Sequence, residues 1–247
     1  MINTLNESSL HRTLKQLYSL EDDFTTEEKV GQWICDITNA NRNQIIEIQT
    51  SNVSKLKSKI VGLLSLEKKV KIVHPVIIEK TIETYDLDGK LLYRRKSPKK
   101  ENIYSIFKQI TGLTELLLHE SFTLEIIEIS EIETRIKLSQ PTQVKNKARH
   151  HLKNWVKTDK KLKQIYKTHI FKTAKDYLNL LPQYYLQTSQ NDFTVKQTRE
   201  LLNLKNVKTN ASLMVWVLKK MDLIEEIYKE KREIHYRISK DSSLRSE

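Results

Sequence analysis

Glycine and proline are scarce, with four of each in 247 residues. That excludes a low-complexity chain and leaves no glycine-rich loop to cradle nucleotide phosphates. A single cysteine, Cys35, permits no disulfide within one chain and fits a reducing compartment. It sits in an apolar strand pattern and is expected in the core, not as a nucleophile. Residues 1–20 alternate polar and apolar side chains. They lack the apolar run of a signal peptide and the length of a membrane span, so a cytoplasmic protein is expected. No long amphipathic helix combines a basic face with bulky aromatics, which argues against a membrane partner. His150 and His151 have no ligand-like spacing with a cysteine, so no zinc site is expected.

What is abundant is positive charge. Forty-three Lys and Arg against 31 Asp and Glu give a net charge of +12. An excess of that size favours a polyanionic partner, nucleic acid first. The chain length suits one large domain or two small ones. Leu10, Leu14 and Leu17 have helical spacing within Asn6–Leu20. Two short apolar strands follow around a polar turn at Thr38–Asn43. Ser54–Leu66 is helical again, and Val70–Thr84 alternates as a strand. Asp88-Gly89 marks a hairpin turn into Lys90–Lys96; a calcium loop is disfavoured because the later ligands are missing. A short helix at Ile103–Ile110 and a strand at Phe122–Ile129 complete a mixed α/β domain over residues 1–138.

Residues 139–170 are expected as a basic connector, helical or partly mobile. Between Lys145 and Lys172 the only acid is Asp159. Residues 171–247 change pattern: helices at Thr173–Leu181, Thr194–Leu202 and Thr209–Met221, then a hairpin from Ile224–Tyr228 and Glu233–Ile238. Thr194 is a candidate N-cap. Val215, Leu218 and Met221 face inward, and Trp216 is expected in the core. Three helices and a hairpin predict a winged helix-turn-helix, with Asp222-Leu223 where a left-handed residue is needed.

Two acids stand out in the first strand pair, Asp36 and Glu47. A carboxylate inside a buried strand is costly unless it is paired or bound to metal. Glu47 and Gln49 share a strand face, and pairing around the polar turn brings Asp36 to the same end. Two carboxylates, with water and phosphate, can hold Mg²⁺ or Mn²⁺. This stretch resembles the PD-(D/E)XK nuclease superfamily, and Glu47-Ile48-Gln49 followed by Thr-Ser resembles its competence-associated branch. The resemblance covers residues 5–65 and, more loosely, the strands to 138. It implies a restriction-endonuclease-like mixed sheet and a Mg²⁺-dependent deoxyribonuclease. Asp36 and Glu47 would bind the metal, Gln49 would position water, and Glu7 on the first helix, with His11 beside it, would orient the metal's water shell. Gln49 stands where the motif has lysine. Lys57 or Lys59 would have to replace it, and Lys57 is the narrow choice.

Arg94, Arg95, Lys96, Lys99 and Lys100 place five cations in seven residues, a candidate phosphate contact. On the third helix of the winged helix, Lys208, Thr209, Asn210 and Ser212 are candidates for base or backbone contact. Lys229, Lys231 and Arg232 would hold a neighbouring backbone. The expected partner is DNA, double-stranded, and a symmetric homodimer would suit cutting of both strands. The alternative is a non-catalytic DNA-binding regulator built on an inactive nuclease-like fold.

Overall fold

Behind Ser8, whose hydroxyl accepts from the His11 N–H, Leu10 and Leu14 repeat at helical spacing, and α1 runs Ser9–Tyr18. The computed structural model describes residues 7–20, 23–143, 152–187, 192–204 and 208–239. After α1, β1 (Phe24–Val30), β2 (Trp33–Asn39) and β3 (Gln44–Ile48) form an antiparallel meander. Asn39 closes the β2–β3 turn by accepting from the N–H groups of Asn43 and Gln44, both at 3.0 Å. A 3-10 turn at Val53–Leu56 leads into α2 (Lys57–Ser65), which crosses back so that β4 (Lys69–Tyr85) lies parallel to β3. The hairpin at Asp88-Gly89 forms as expected, with Gly89 at φ 82 and Asp86 accepting from two N–H groups of the turn. It delivers β5 (Leu91–Lys96) back onto β4. A 3-10 turn at Ile103–Ile106 runs into α3 (Phe107–Ile110). β6 (Phe122–Gln143) is parallel to β4, and β7 (Leu152–Phe171) is antiparallel to β6. The sheet order is β1-β2-β3-β4-β6-β7, with β5 added beside the far part of β4.

Each face of this sheet has its own core. Leu10 and Leu14 of α1 cover Ile37, Ile46, Ile48, Val73, Ile127 and Ile129 on one side. On the other, Ile60, Leu63 and Leu64 of α2 join α3, Ile45, Ile72 and Leu124. The second core continues into the C-terminal region, which comprises α4 (Ala174–Leu178), α5 (Gln183–Gln187), α6 (Val195–Leu201), α7 (Lys208–Lys220), β8 (Ile224–Glu230) and β9 (Glu233–Ile238). α7 packs on α3, so Met214, Val217 and Leu218 share a core with Phe107 and Ile110. Thr194 caps α6 in a capping box with Gln197, and Asp222 takes the left-handed conformation at φ 58. The architecture is a mixed-sheet N-terminal domain followed by a mostly helical region with a short hairpin. Among the described residues no helix is long and apolar enough to cross a membrane.

Three expectations need correction. Residues 152–171, expected as a helical or mobile connector, form an edge strand, and the strand expected to end at Ile129 continues to Gln143. A residue 138/139 boundary therefore falls inside β6. The alternation of β7 is hidden because its ladder slips at Thr158, Lys163 and Tyr166, each slip reversing the side-chain phase. Its six lysines also give the segment the look of a solvated linker. The helix expected over Thr173–Leu181 stops at Leu178, and α5 starts after Pro182.

The outer halves of β4, β6 and β7 are joined by charge. Lys80 lies 2.7 Å from Glu131 and 3.3 Å from Glu133, and Arg135 and Lys157 also reach Glu133, at 2.5 and 3.2 Å. Burial alone would raise the Glu133 pKa, but Arg135, Lys157 and Lys80 outweigh it and hold the carboxyl down at about 2. Because the folded value is depressed, this contribution is complete above the unfolded value near 4.5 and disappears as pH falls toward 2. Glu133→Gln is expected to lower the melting temperature at pH 7 and to flatten its fall between pH 4.5 and 2, a difference that calorimetry at several pH values measures.

Candidate active site

β3, β4 and β6 run parallel, and Glu47 lies near the carboxyl end of β3, the end where open α/β sheets usually bind ligands. β2 and β3 pair only through Ile37–Ile46 and Thr38–Ile45. In that register the next pair would be Asp36 with Glu47, and there the ladder stops. The β1–β2 ladder also skips its Glu27–Asp36 pair, where Glu27 takes φ 61. Cys35 and Ile37, two residues apart, belong to cores on opposite faces, so β2 turns over at Asp36. The carboxylates fill the resulting gap. Glu47 Oε1 accepts from the Asp36 N–H at 3.2 Å, and Asp36 Oδ2 accepts from the Ile48 N–H at 2.9 Å. Each acid thus replaces a ladder bond that the diverging strands cannot make.

Two helices supply the remaining partners. From α1, His11 Nε2 lies 3.5 Å from Asp36 Oδ2, while its Nδ1 lies 2.5 Å from Glu7 Oε1. Lys15, one turn further, reaches Glu7 at 3.2 Å and Glu27 at 2.7 Å. From α2, Lys59 Nζ lies 2.6 Å from Glu47 Oε1 and donates to the Ile34 carbonyl at 2.6 Å. The structure therefore corrects the choice of lysine: Lys57 points to Glu115 on the exposed side, at 3.1 Å. Two residues along a helix is a rotation of about 200°, so Lys57 and Lys59 cannot serve the same site.

Glu47 is only 4% exposed, and burial together with the Asp36 charge pushes its pKa up to about 7, although Lys59 and the Asp36 N–H pull the other way. Burial would also raise Asp36, but His11, the Ile48 N–H and Lys59 outweigh it and keep that carboxyl below its usual value. Burial works against protonated His11, yet Asp36 and Glu7 raise its pKa on balance. Glu7 ends below the carboxylate range because His11 and Lys15 overcome its burial. Two neighbouring acids are thus pushed apart in proton affinity, a pattern that clusters at functional sites. Cys35, fully buried as expected, is raised to about 11 by burial and by Glu47.

Gln49 stands at the end of β3, but its Oε1 accepts from Ser51 N–H at 3.3 Å and from Ser51 Oγ at 3.0 Å. The oxygen expected to hold water is turned to the following loop. His11, its interaction with Glu7 and the ion pair of Lys59 give the site its second and third partners. Glu7, expected on the first helix, lies just before its N-cap Ser8 and reaches His11 and Lys15 from there. Nothing in the local sequence marks Glu27, which enters through its left-handed backbone. Among the described residues no group of three or more His, Cys, Asp and Glu side chains is arranged to cage a metal ion. A cavity of about 620 Å³ opens at the opposite end of the strands, lined by Tyr18, Lys69, Lys71 and Glu125 among others, and includes none of these acids.

The basic run over the end of β5 and the loop that follows it is largely neutralised. Arg94 pairs with Glu83 at 2.7 Å, Lys96 with Glu79 at 2.8 Å and Lys99 with Glu101 at 3.3 Å. Arg95 and Lys100 have no carboxylate partner among the described residues. On α7, Ser212 is exposed, but Asn210 is buried at 4% and cannot read bases there. Trp216, expected in the core, is 43% exposed on the solvent side with Lys220 beside its ring. One turn separates it from Ser212, so both lie on the solvated stripe while Val215 and Leu218 take the core. Lys208 and Thr209 lie in the first turn of α7; their side chains, like His150 and His151, fall outside the described residues. Lys229, Lys231 and Arg232 are exposed around the β8–β9 turn.

The family model for a Domain of unknown function (DUF8091) matches residues 8–172. That range contains His11, Asp36, Glu47 and Lys59 and ends where β7 ends. An uncharacterized protein of Treponema pallidum (strain Nichols) is 32% identical over 189 residues, covering 74% of this chain and 71% of the relative. No solved structure matches the chain.

Proposed function

We propose that this chain, which belongs to the DUF8091 family, is a cytoplasmic DNA-binding protein with a metal-dependent phosphodiesterase site of the PD-(D/E)XK type and a C-terminal winged helix. The observation that carries the reading is the meeting of Asp36, Glu47 and Lys59 where β2 and β3 part. The acids occur in the order of the motif, and a lysine stands at the second acid despite Gln49. The donors fit Mg²⁺ or Mn²⁺: they are hard carboxylate oxygens, and the proton affinity of Glu47 is raised by burial and then by the neighbouring negative charge of Asp36, both of which a bound cation would offset. Asp36 and Glu47 would hold the ion, which when bound would polarise phosphate and lower the pKa of water. Lys59 places positive charge where negative charge grows on the phosphate. Glu7 fixes the ring of His11, and His11 in turn orients Asp36. In the reaction a water oxygen bonds to phosphorus and one P–O ester bond breaks. The protons of water pass to the leaving oxygen and to a base. The helices α6 and α7 with the β8–β9 hairpin support the winged-helix reading, with Ser212 and the turn cations on the DNA side.

A second reading has its own observation. Asp36 takes its partner from α1 and Glu47 from α2, helices on opposite faces of the sheet, and both acids already have hydrogen bonds. Such a closed network suits a non-catalytic DNA-binding regulator. Incubation of the full chain with DNA and RNA panels in Mg²⁺ or Mn²⁺ separates the two. Cleavage is expected in wild type and absent from Glu47→Ala. Binding without cleavage in every panel leaves the regulator.

A further inference from the structure

We propose that β7 is a track for the phosphate backbone of a nucleic acid and leads it past the α1 side of the acid pair. This surface rests on the nucleic-acid part of the proposed function and is independent of cleavage. β7 is the last strand of the sheet, so one of its edges meets solvent. Its 20 residues span on the order of 60 Å, more than one turn of a duplex. The strand carries lysine at 153, 157, 160, 161, 163 and 167 against one acid, Asp159.

That acid is turned inward. Asp159 accepts from Ser9 N–H at 2.9 Å and Ser9 Oγ at 2.6 Å, at the start of α1. It therefore makes no ion pair with the outer lysines, although its charge still acts on Lys161. The same contact pins the middle of β7 beside Ser9, which lies between Glu7 and His11 in the chain. Lys157 is held by Glu133 and Lys160 lies 3.9 Å from Glu131. Lys161, Lys163 and Lys167 are exposed and have no carboxylate at ion-pair distance among the described residues. By contrast, three of the five cations between Arg94 and Lys100 are paired. Among the described residues β7 thus carries more cations without an ion pair than any other strand of the sheet. Lys163 and Tyr166 sit at ladder slips, which turn residues out of the regular pleat. Tyr166 is 45% exposed and offers a ring beside the lysines.

A lysine-studded, bulged edge also prevents sheets from pairing edge to edge. The test separates that role from binding. Full-length protein is titrated against a fluorescent DNA duplex longer than two turns, in EDTA, with anisotropy read over a range of KCl. K161Q/K163Q/K167Q is expected to bind at least about 10-fold more weakly at moderate salt, with a log–log salt slope shallower by about 2.7. The charge-keeping K161R/K163R/K167R retains binding. K90Q/K108Q/K175Q, which removes equal charge elsewhere, changes affinity far less. Size exclusion checks that each variant stays monodisperse. If the glutamine triple aggregates, K163Q alone is used, with an expected slope change of about 0.9. Wild-type affinity and slope in the glutamine variant overturn the track, as do equal losses in the two triples. No binding by wild type overturns the nucleic-acid reading itself.

Discussion

Lys59→Met is expected to reduce metal-dependent cleavage by about 10²–10³-fold, the usual cost of removing one preorganised charge at a developing anion. Lys57→Met is expected to leave it unchanged. The contrast follows from α2. Lys59 faces the sheet, with its ammonium 2.6 Å from Glu47 and its stem largely buried, whereas Lys57 meets Glu115 in solvent. An exposed pair of that kind contributes little. Removal of Lys59 also acts on Glu47 itself. The lysine is one of the groups that lower a pKa already pushed up to about 7, so without it the acid is protonated further into the alkaline range. The pH–rate profile of Lys59→Met should therefore shift its acid limb upward, whereas that of Lys57→Met should not. Single-turnover rates across pH for the two variants measure it. Equal rates for Lys59→Met and wild type would sink the role of Lys59.

The same pair of lysines shows how far residue patterns reach. Apolar periodicity locates α2 and the strands around it, because Ile60, Leu63 and Leu64 must face a core. It also identifies Asp36 and Glu47, since charged groups interrupt strands that are otherwise apolar. Which of two lysines reaches the sheet depends on the rotation of α2, and the boundary between the 3-10 turn and the helix bears on it: Val53–Leu56 is a 3-10 turn, and α2 proper starts at Lys57. The tighter turn changes the phase that a uniform helix over Ser54–Leu66 implies. The divergence of β2 and β3 is invisible in the sequence for a similar reason. It arises from the turnover at Asp36 and the left-handed Glu27, and neither position carries glycine. β7 was hidden by its ladder slips and by lysines that read as a solvated linker. Asn210 and Trp216 were exchanged between core and surface because α7 begins at Lys208 and its burial stripe is set by packing on α3.

Glu47→Gln is expected to stabilise the protein at pH 8 while abolishing cleavage. Glu47 has a folded pKa raised to about 7 from an ordinary value near 4.5. Below 4.5 both folded and unfolded chains hold the proton, and the residue carries no ionisation penalty. Between 4.5 and 7 the folded chain keeps a proton that the unfolded chain has lost, so stability falls as pH rises. Above 7 the full cost of the buried charge is present, on the order of 3 kcal/mol. Glutamine cannot ionise, and its carbonyl oxygen can still accept from Lys59 and from the Asp36 N–H. The variant should melt close to wild type at pH 4.5 and about 5–10 °C higher at pH 8. A divalent cation sharpens the test, because a ligand that binds only the folded chain raises its melting temperature. Mg²⁺ or Mn²⁺ should raise that of wild type at pH 8 and leave the glutamine variant unmoved. A variant no more stable than wild type at pH 8 would show that Lys59 and the Asp36 N–H fully compensate the buried charge. The acid would then be a structural tie between diverging strands, and its raised proton affinity would give no reason for a cation to bind.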